Sequence, residues 1–486
     1  MPPRMARLST PRAKTGCRTC RSNSIASHYC IPFRVPGSQK DRQLLQFFCV
    51  QGAADVSGFL KKTFWSTTVL QASQHNAVVR QAVMALSSLH MDLAQVGASS
   101  DHHHHHNTSE YSGTERGAIA AGVETSTLTR YGTALRALQR RIDTLTSPSP
   151  GVGEGEEVVR GVLICCILFY CFESTLGNSK AAMQHLDSGL RVFSRKSNRR
   201  MANRGDDLVL ADMADVLARL DLQASFFDGG RVPLLALVSA EERAMAVRGG
   251  DGGAVRSSSA DSHSNSWVEE HAFSGLEDAH FDSTRLQNWM FHLLSENLKF
   301  SGKPGACNAI PAAVLEEKNQ LLKELGVLER RFKRLVSDAS KSSASAFLCG
   351  VQTLLIHHHT SQMLLLSRLP DNETVFAAVP NPTARDVIRL AQATVDLGKS
   401  HARTESGGET ESGGESSSRR LFSAETGIVA PLAFLAANCA DESVSTKAVD
   451  LLLQCRRREG LYDARNMAAA VVQNMDVLRL RQQKRD

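Results

Sequence analysis

Apolar residues recur at intervals of three and four along most of the chain, the spacing that lines one face of an α-helix. In NAVVRQAVMALSSLH, residues 76–90, Val79, Ala82, Val83, Leu86 and Leu89 make one such stripe. A second helix is predicted over about 158–175 and a third over about 179–195, with Ala182, His185, Leu186, Gly189, Leu190 and Phe193 on one side. Gly177-Asn178 between them supplies residues suited to φ > 0, which ends a helix, so the pair reads as an αα-hairpin. Further helices are predicted over 207–226, 282–300, 312–337, 344–368, 384–399, 426–440, 444–457 and 464–480. Strand alternation is almost absent, and the pattern predicts an all-α fold, a multi-helix body of αα-hairpins. In RREGLYDARNMAA, residues 457–469, Gly460 stands where a helix C′ residue belongs, Leu461 can fold back, and Asp463 can cap the next helix.

Four segments break the pattern and read as loops inserted between helices of one body: 97–117, 147–157, 247–266 and 402–420. Each is rich in Gly, Ser or Glu, compositions that bury too little apolar area to offset chain entropy. The expected division is a basic arm over 1–36 and a helical body over 41–486.

Charge sharpens that division. The chain carries +6, yet residues 1–40 hold eight Lys and Arg and no acid, so the rest nets −2. A basic arm on a near-neutral body suggests a polyanionic partner for the arm. The first twenty residues lack the apolar core of a signal peptide. The prolines Pro2, Pro3 and Pro11 interrupt the amphipathic helix of a transit peptide. Eleven cysteines lie scattered without the spacing of a disulfide scaffold, which suggests a reducing compartment. VLICCILFYCF, residues 162–172, is too short to span a bilayer and predicts a buried helix, with no membrane partner. Trp65, Trp289 and Phe300 are assigned to core packing.

GCRTCR, residues 16–21, resembles the opening of the six-cysteine binuclear zinc cluster of fungal transcription factors. The body carries the same resemblance, to the regulatory region that follows that cluster. It begins with residues 43–90 and continues through TALRALQRRI (133–142), LICCILFYCFESTLGNSKAAMQHLDSGLRV (163–192), LARLDLQASFF (217–227), IHHHTSQMLLL (356–366), TGIVAPLAFLAANC (426–439) and RRREGLYDA (456–464). The resemblance implies an RNA polymerase II transcriptional regulator in the nucleus that binds zinc and DNA. It also implies transcription-machinery proteins as partners, a homodimer, and control of metabolic or secondary-metabolite genes.

The cluster itself is incomplete. Where the family has its third cysteine this chain has Ser27, the Lys/Arg run is missing, and the next cysteine is Cys30. Two thiolates do not fill a tetrahedral zinc shell, and the arm is expected to be a basic, mostly disordered remnant with reducible thiols. Against that, Cys17, Cys20, His28 and Cys30 together would make a three-cysteine, one-histidine site of unusual spacing. Arg12, Lys14, Arg18 and Arg21 can neutralise phosphates, which gives salt-sensitive DNA binding without sequence preference. Base reading needs a folded element in the groove, and none is evident. The second expectation is therefore a helical interaction module, or regulatory cofactor, that has lost specific DNA binding.

Other histidines offer less. The tract DHHHHHNTSE, residues 101–110, lacks convergent thiols or carboxylates and reads as a solvated insertion. IHHHT, residues 356–360, leads into an apolar helix, so its histidines are expected to span buried and exposed faces in packing or hydrogen-bonding roles. No P-loop, G-x-G-x-x-G, G-x-S-x-G or H-E-x-x-H motif is present, and the chain is not expected to be an enzyme.

Overall fold

A computed structural model describes residues 36–58, 63–100, 122–145, 154–201, 208–249, 272–300, 310–341, 345–405, 422–455 and 457–483. It is all-α, as the apolar periodicity predicts, with one small sheet. Helix α1 (Gln39–Phe47) opens on a capping box, in which Ser38 Oγ accepts from the Asp41 amide at 3.2 Å and Asp41 Oδ2 accepts from the Ser38 amide at 2.8 Å. The chain passes through a π-helical turn, Phe48–Gly52, into α2 (Ala53–Ser57), and a second such turn, Phe64–Thr68, leads into α3 (Val69–His75). Next come α4 (Ala77–Ser100), α5 (Thr125–Leu145), α6 (Glu154–Leu176), α7 (Ser179–Met201) and α8 (Leu208–Phe227).

These helices enclose a first core. The predicted stripe of α4, Val79 to Leu89, is buried throughout, and α6 is buried on all sides from Val162 to Phe172. The region Glu156–Leu176 is long and apolar enough to cross a bilayer, but 89% of its most apolar window is buried inside the protein, packed against α4, α5, α7 and α8. The α6–α7 hairpin forms as predicted, with one correction. Only Gly177 takes positive φ, +81°, while Asn178 instead caps α7, its Oδ1 accepting from the Ala181 amide at 3.4 Å.

The second core is built by α9 (Ala240–Gly249), α10 (Leu276–Glu296), α11 (Ala312–Lys341), α12 (Ser345–Leu366), α13 (Thr374–Ala377), α14 (Pro382–Glu405), α15 (Val429–Asn438), α16 (Glu442–Cys455) and α17 (Ala464–Gln483). Trp65 lies in the first core and Trp289 in the second, each nearly inaccessible, and Phe300 packs partly buried on the second.

Some of the residues expected in loops are helical. Helix α4 runs to Ser100, α6 begins at Glu154, α9 ends at Gly249 and α14 ends at Glu405. Glu156 and Glu157 fall in the first turn of α6, where carboxylates complement the positive end of the helix dipole. The rest of those four segments lies outside the described residues.

The sheet has the order β1–β2–β3, with β1 (Phe422–Ser423) parallel to β2 (Arg458–Glu459) and β2 antiparallel to β3 (Tyr462–Asp463). Two expectations are corrected here. Residues 426–428 belong to the approach to α15 and not to a helix. Gly460 is not a helix C′ residue, because α16 has ended at Cys455; it turns a two-residue hairpin, at φ +54°, between β2 and β3. Asp463 caps α17 as expected, its Oδ1 accepting from the Asn466 amide at 3.0 Å.

Candidate functional site

Cys17, Cys20, His28 and Cys30, the proposed metal ligands, and Arg12, Lys14, Arg18 and Arg21, the proposed phosphate contacts, all lie outside the described residues, as does the five-histidine tract. Among the described residues no group of three His, Cys, Asp or Glu side chains is arranged to hold a metal ion. The polar chemistry that the fold does concentrate is at the junction of the two cores.

The segment 422–429 threads that junction. Phe422 and Ala424 are buried in the first core, and Ile428 and Val429, four residues on, are buried in the second. The Ala424 amide donates to the Val56 carbonyl at 2.9 Å, and the Gly460 amide donates to Ser423 O at 2.7 Å. From α8, Arg219 Nε donates to both oxygens of Glu425, at 3.0 and 3.1 Å, and Arg219 also pairs with Asp215. One turn further, Gln223 Nε2 donates to Thr426 Oγ1 at 2.7 Å and to the Ala424 carbonyl at 3.3 Å, while its oxygen accepts from the Tyr170 hydroxyl.

The far side is organised by Glu459, 1% exposed. Its Oε2 accepts from the amides of Gly427 at 2.8 Å and Val429 at 2.9 Å, which satisfies the unpaired amides at the start of α15 and places a negative charge at the helix N-terminus. Its Oε1 accepts from Arg457 Nε at 2.7 Å. A Cβ at 427 would overlap the Glu459 carboxylate and displace it from the α15 amides, and at 460, where φ is positive, glycine is favoured and a Cβ would overlap the Gln223 amide. His357 Nε2 lies 2.7 Å from Gly427 O, completing the ring of contacts around this turn.

Burial governs the ionisation here. It pushes the Tyr170 phenol and the Cys171 thiol upward, so both stay protonated and are poor nucleophiles. Burial raises Glu425 against the opposing pull of Arg219. Burial also holds His280 and His357 below the usual histidine range, and both are neutral near pH 7; the Arg219 charge adds to the effect at His280. What the arrangement does is hold two cores in one relation through charged and hydrogen-bonded groups shielded from water.

The IHHHT histidines depart from expectation. None of the three is exposed, and His358 and His359 are buried, with Glu329 Oε2 3.9 Å from His358 Nε2. The neighbouring His358 ring, too distant for a hydrogen bond, and the Lys333 ammonium, 2.7 Å away, hold the Glu329 carboxyl down at about 2.

Four of the quoted segments that lie far apart in sequence, 163–192, 217–227, 426–439 and 456–464, supply Tyr170, Arg219, Gln223, Thr426, Gly427 and Glu459 to this one junction. Sequence reasoning missed Arg219, Gln223, Glu425 and Glu459 because each is an ordinary helix or turn residue by spacing. The available signal was the pair of glycines, each beside a carboxylate or a tight turn.

Residues 43–230 match the fungal specific transcription factor domain. That span holds most of the first core, from Leu44 in α1 to the end of α8, while Leu235, Phe422, Ala424 and Leu461 join the core from outside it. The chain is also similar to the aspercryptin biosynthesis cluster-specific transcription regulator atnN of Emericella nidulans, at 23% identity over 88% of this chain and 71% of that protein. No solved structure matches.

Proposed function

We propose that this chain is a nuclear transcriptional regulator of RNA polymerase II genes, and that its targets are metabolic or secondary-metabolite genes. The observation that carries the reading is the similarity to a cluster-specific transcription regulator along 88% of the chain, which extends well past the matched domain. The helical body is the regulatory part and the partner of transcription-machinery proteins. The basic arm is the DNA-directed part, with Arg12, Lys14, Arg18 and Arg21 neutralising phosphates.

The donor set in the arm limits the metal. Three thiolates and one imidazole, from Cys17, Cys20, Cys30 and His28, fill one tetrahedral shell, so the chain is proposed to hold a single zinc ion and not a binuclear cluster. Zinc so bound would contribute folding energy to the arm. Native mass spectrometry of the purified chain tests this. One ion, lost in Cys17→Ser, is the expected result, and two ions or none would overturn it.

The second reading, an interaction module without sequence-specific DNA binding, is favoured by Ser27 at the third cysteine position and by the missing basic run. Genome-wide chromatin immunoprecipitation separates the two. Discrete promoter peaks that persist in Cys17→Ser indicate recruitment through partners, whereas peaks lost in that variant indicate the arm's own contact.

A further inference from the structure

Helices α5 and α7 carry a second concentration of positive charge, away from the arm. Tyr131, in the second turn of α5, lies 3.1 Å from His185 Nε2, in the second turn of α7, so both helices start at the same end of the first core. Helix α7 runs antiparallel to α6 through their hairpin, and only residues 146–153 join the far end of α5 to the start of α6, so α5 and α7 run in the same direction. At 1.5 Å per residue, Arg136 and Arg191 then sit about 7–9 Å beyond the Tyr131–His185 contact, and Arg140 and Arg195 about 6 Å further on. All four arginines are exposed.

Ordinary surface solubility does not account for them well. Among the described residues none of the four pairs with a carboxylate. Arg136 and Arg140 make only intrahelical hydrogen bonds, to Thr133 Oγ1 and to the Arg136 carbonyl, and Asp187, the acid nearest on α7, is taken by Arg231. From Ser188 onward α7 has five basic residues and no acid, although residues 41–486 net −2. Complementing the helix dipole does not explain Arg136 or Arg191 either. They stand two turns or more before the helix ends, and that effect is confined to the last turn.

We infer that the outer faces of α5 and α7 form a phosphate-binding surface for duplex DNA, separate from the arm, with Arg136, Arg140, Arg191 and Arg195 as its contacts. This rests on the regulatory reading above and extends it. The choice of partner follows from composition. A protein-binding face is built around apolar anchors within a polar rim, whereas a DNA-backbone surface is polar and positively charged. Beyond Leu128, at the opposite end of α5, no large exposed apolar side chain occurs on either helix among the described residues. Two arginines one helical turn apart on each of two co-directional helices suit a run of backbone phosphates.

The test is binding of the full chain to a fluorescein-labelled 30-base-pair duplex of mixed sequence, by anisotropy, across 50–200 mM salt. Replacing all four arginines by Gln should lower affinity at least tenfold. It should also reduce the slope of log K against log salt by about 3–4, near 0.9 for each lost phosphate contact. The four-Lys variant should stay within threefold of wild type, and unchanged far-UV circular dichroism excludes misfolding as the cause. An arm variant, with Arg12, Lys14, Arg18 and Arg21 replaced by Gln, separates the two ideas. If it abolishes binding while the four-Gln body variant binds like wild type, the surface is refuted and the regulatory reading stands. Absence of duplex binding by wild type, or tighter binding to labelled polyglutamate that the body variant loses, would also overturn the inference.

Discussion

At the scale of single residues, a side chain at Gly427 or Gly460 would displace the Glu459 carboxylate or the Gln223 amide from the junction. Gly460→Ala adds both a strained positive φ and an overlap with Gln223, and is expected to cost at least about 2–3 kcal/mol, measurable by urea denaturation. Gly177→Ala, where the φ is also positive but the nearest atom is 3.3 Å away on Arg458, should cost about 1 kcal/mol. Histidine burial sets a pH dependence. His90 is held down at about 4 by burial, below the 6.5 of an unfolded chain, with its ring 5.9 Å from Phe422. Below pH 6.5 the unfolded chain takes up a proton that the folded chain refuses, so stability is lost as pH falls toward 4 and is fully present above 6.5. His90→Gln is expected to flatten the stability curve in that window by up to about 1.4 kcal/mol per pH unit and to leave its slope above pH 7 unchanged.

At the scale of elements, the apolar stripe was a sound guide where burial was one-sided. Helices α7, α11 and α14 carry clean stripes and lie close to the predicted spans, whereas α4, buried all round from Ala82 to His90, runs ten residues past its predicted stretch. Helix α5 was legible only as a short block, because Gly132 and a series of threonines interrupt a stripe that runs through Tyr131, Ala134, Leu138 and Ile142. The sheet was not legible at all. Strands of two residues have no period to detect, and the β1–β2 pairing joins residues 36 apart. The ion pair between α8 and the strap after β1 was equally invisible, since its partners are 206 residues apart. Removing one partner leaves the other charge buried alone. Arg219→Met should therefore destabilise by about 3 kcal/mol, and the double change Arg219→Met with Glu425→Leu should recover at least half of that loss in a double-mutant cycle.

At the scale of the whole molecule, the matched domain is not a separable unit. The first core spans nearly the same residues as the family match, but Phe422, Ala424 and Leu461 are also part of it. A fragment ending near residue 235 lacks all three, and it exposes the faces of α2 and α8 that they cover. Such a fragment is expected to bind a hydrophobic dye strongly and to melt without cooperativity. Supplying residues 272–483 in trans should restore a sharp transition, as read by calorimetry. The proposed metal and DNA residues of the arm are legible only as a spacing of Cys and His and an excess of Arg, and they lie outside the described residues.

The same stitch imposes an order of events during synthesis. Translation delivers residues from the amino end, and Gly460 follows Val56 by some four hundred positions. Helices α1 to α8 must wait with an unfilled seam until residues 422–461 have been made, a long interval in which chaperones can hold the nascent chain.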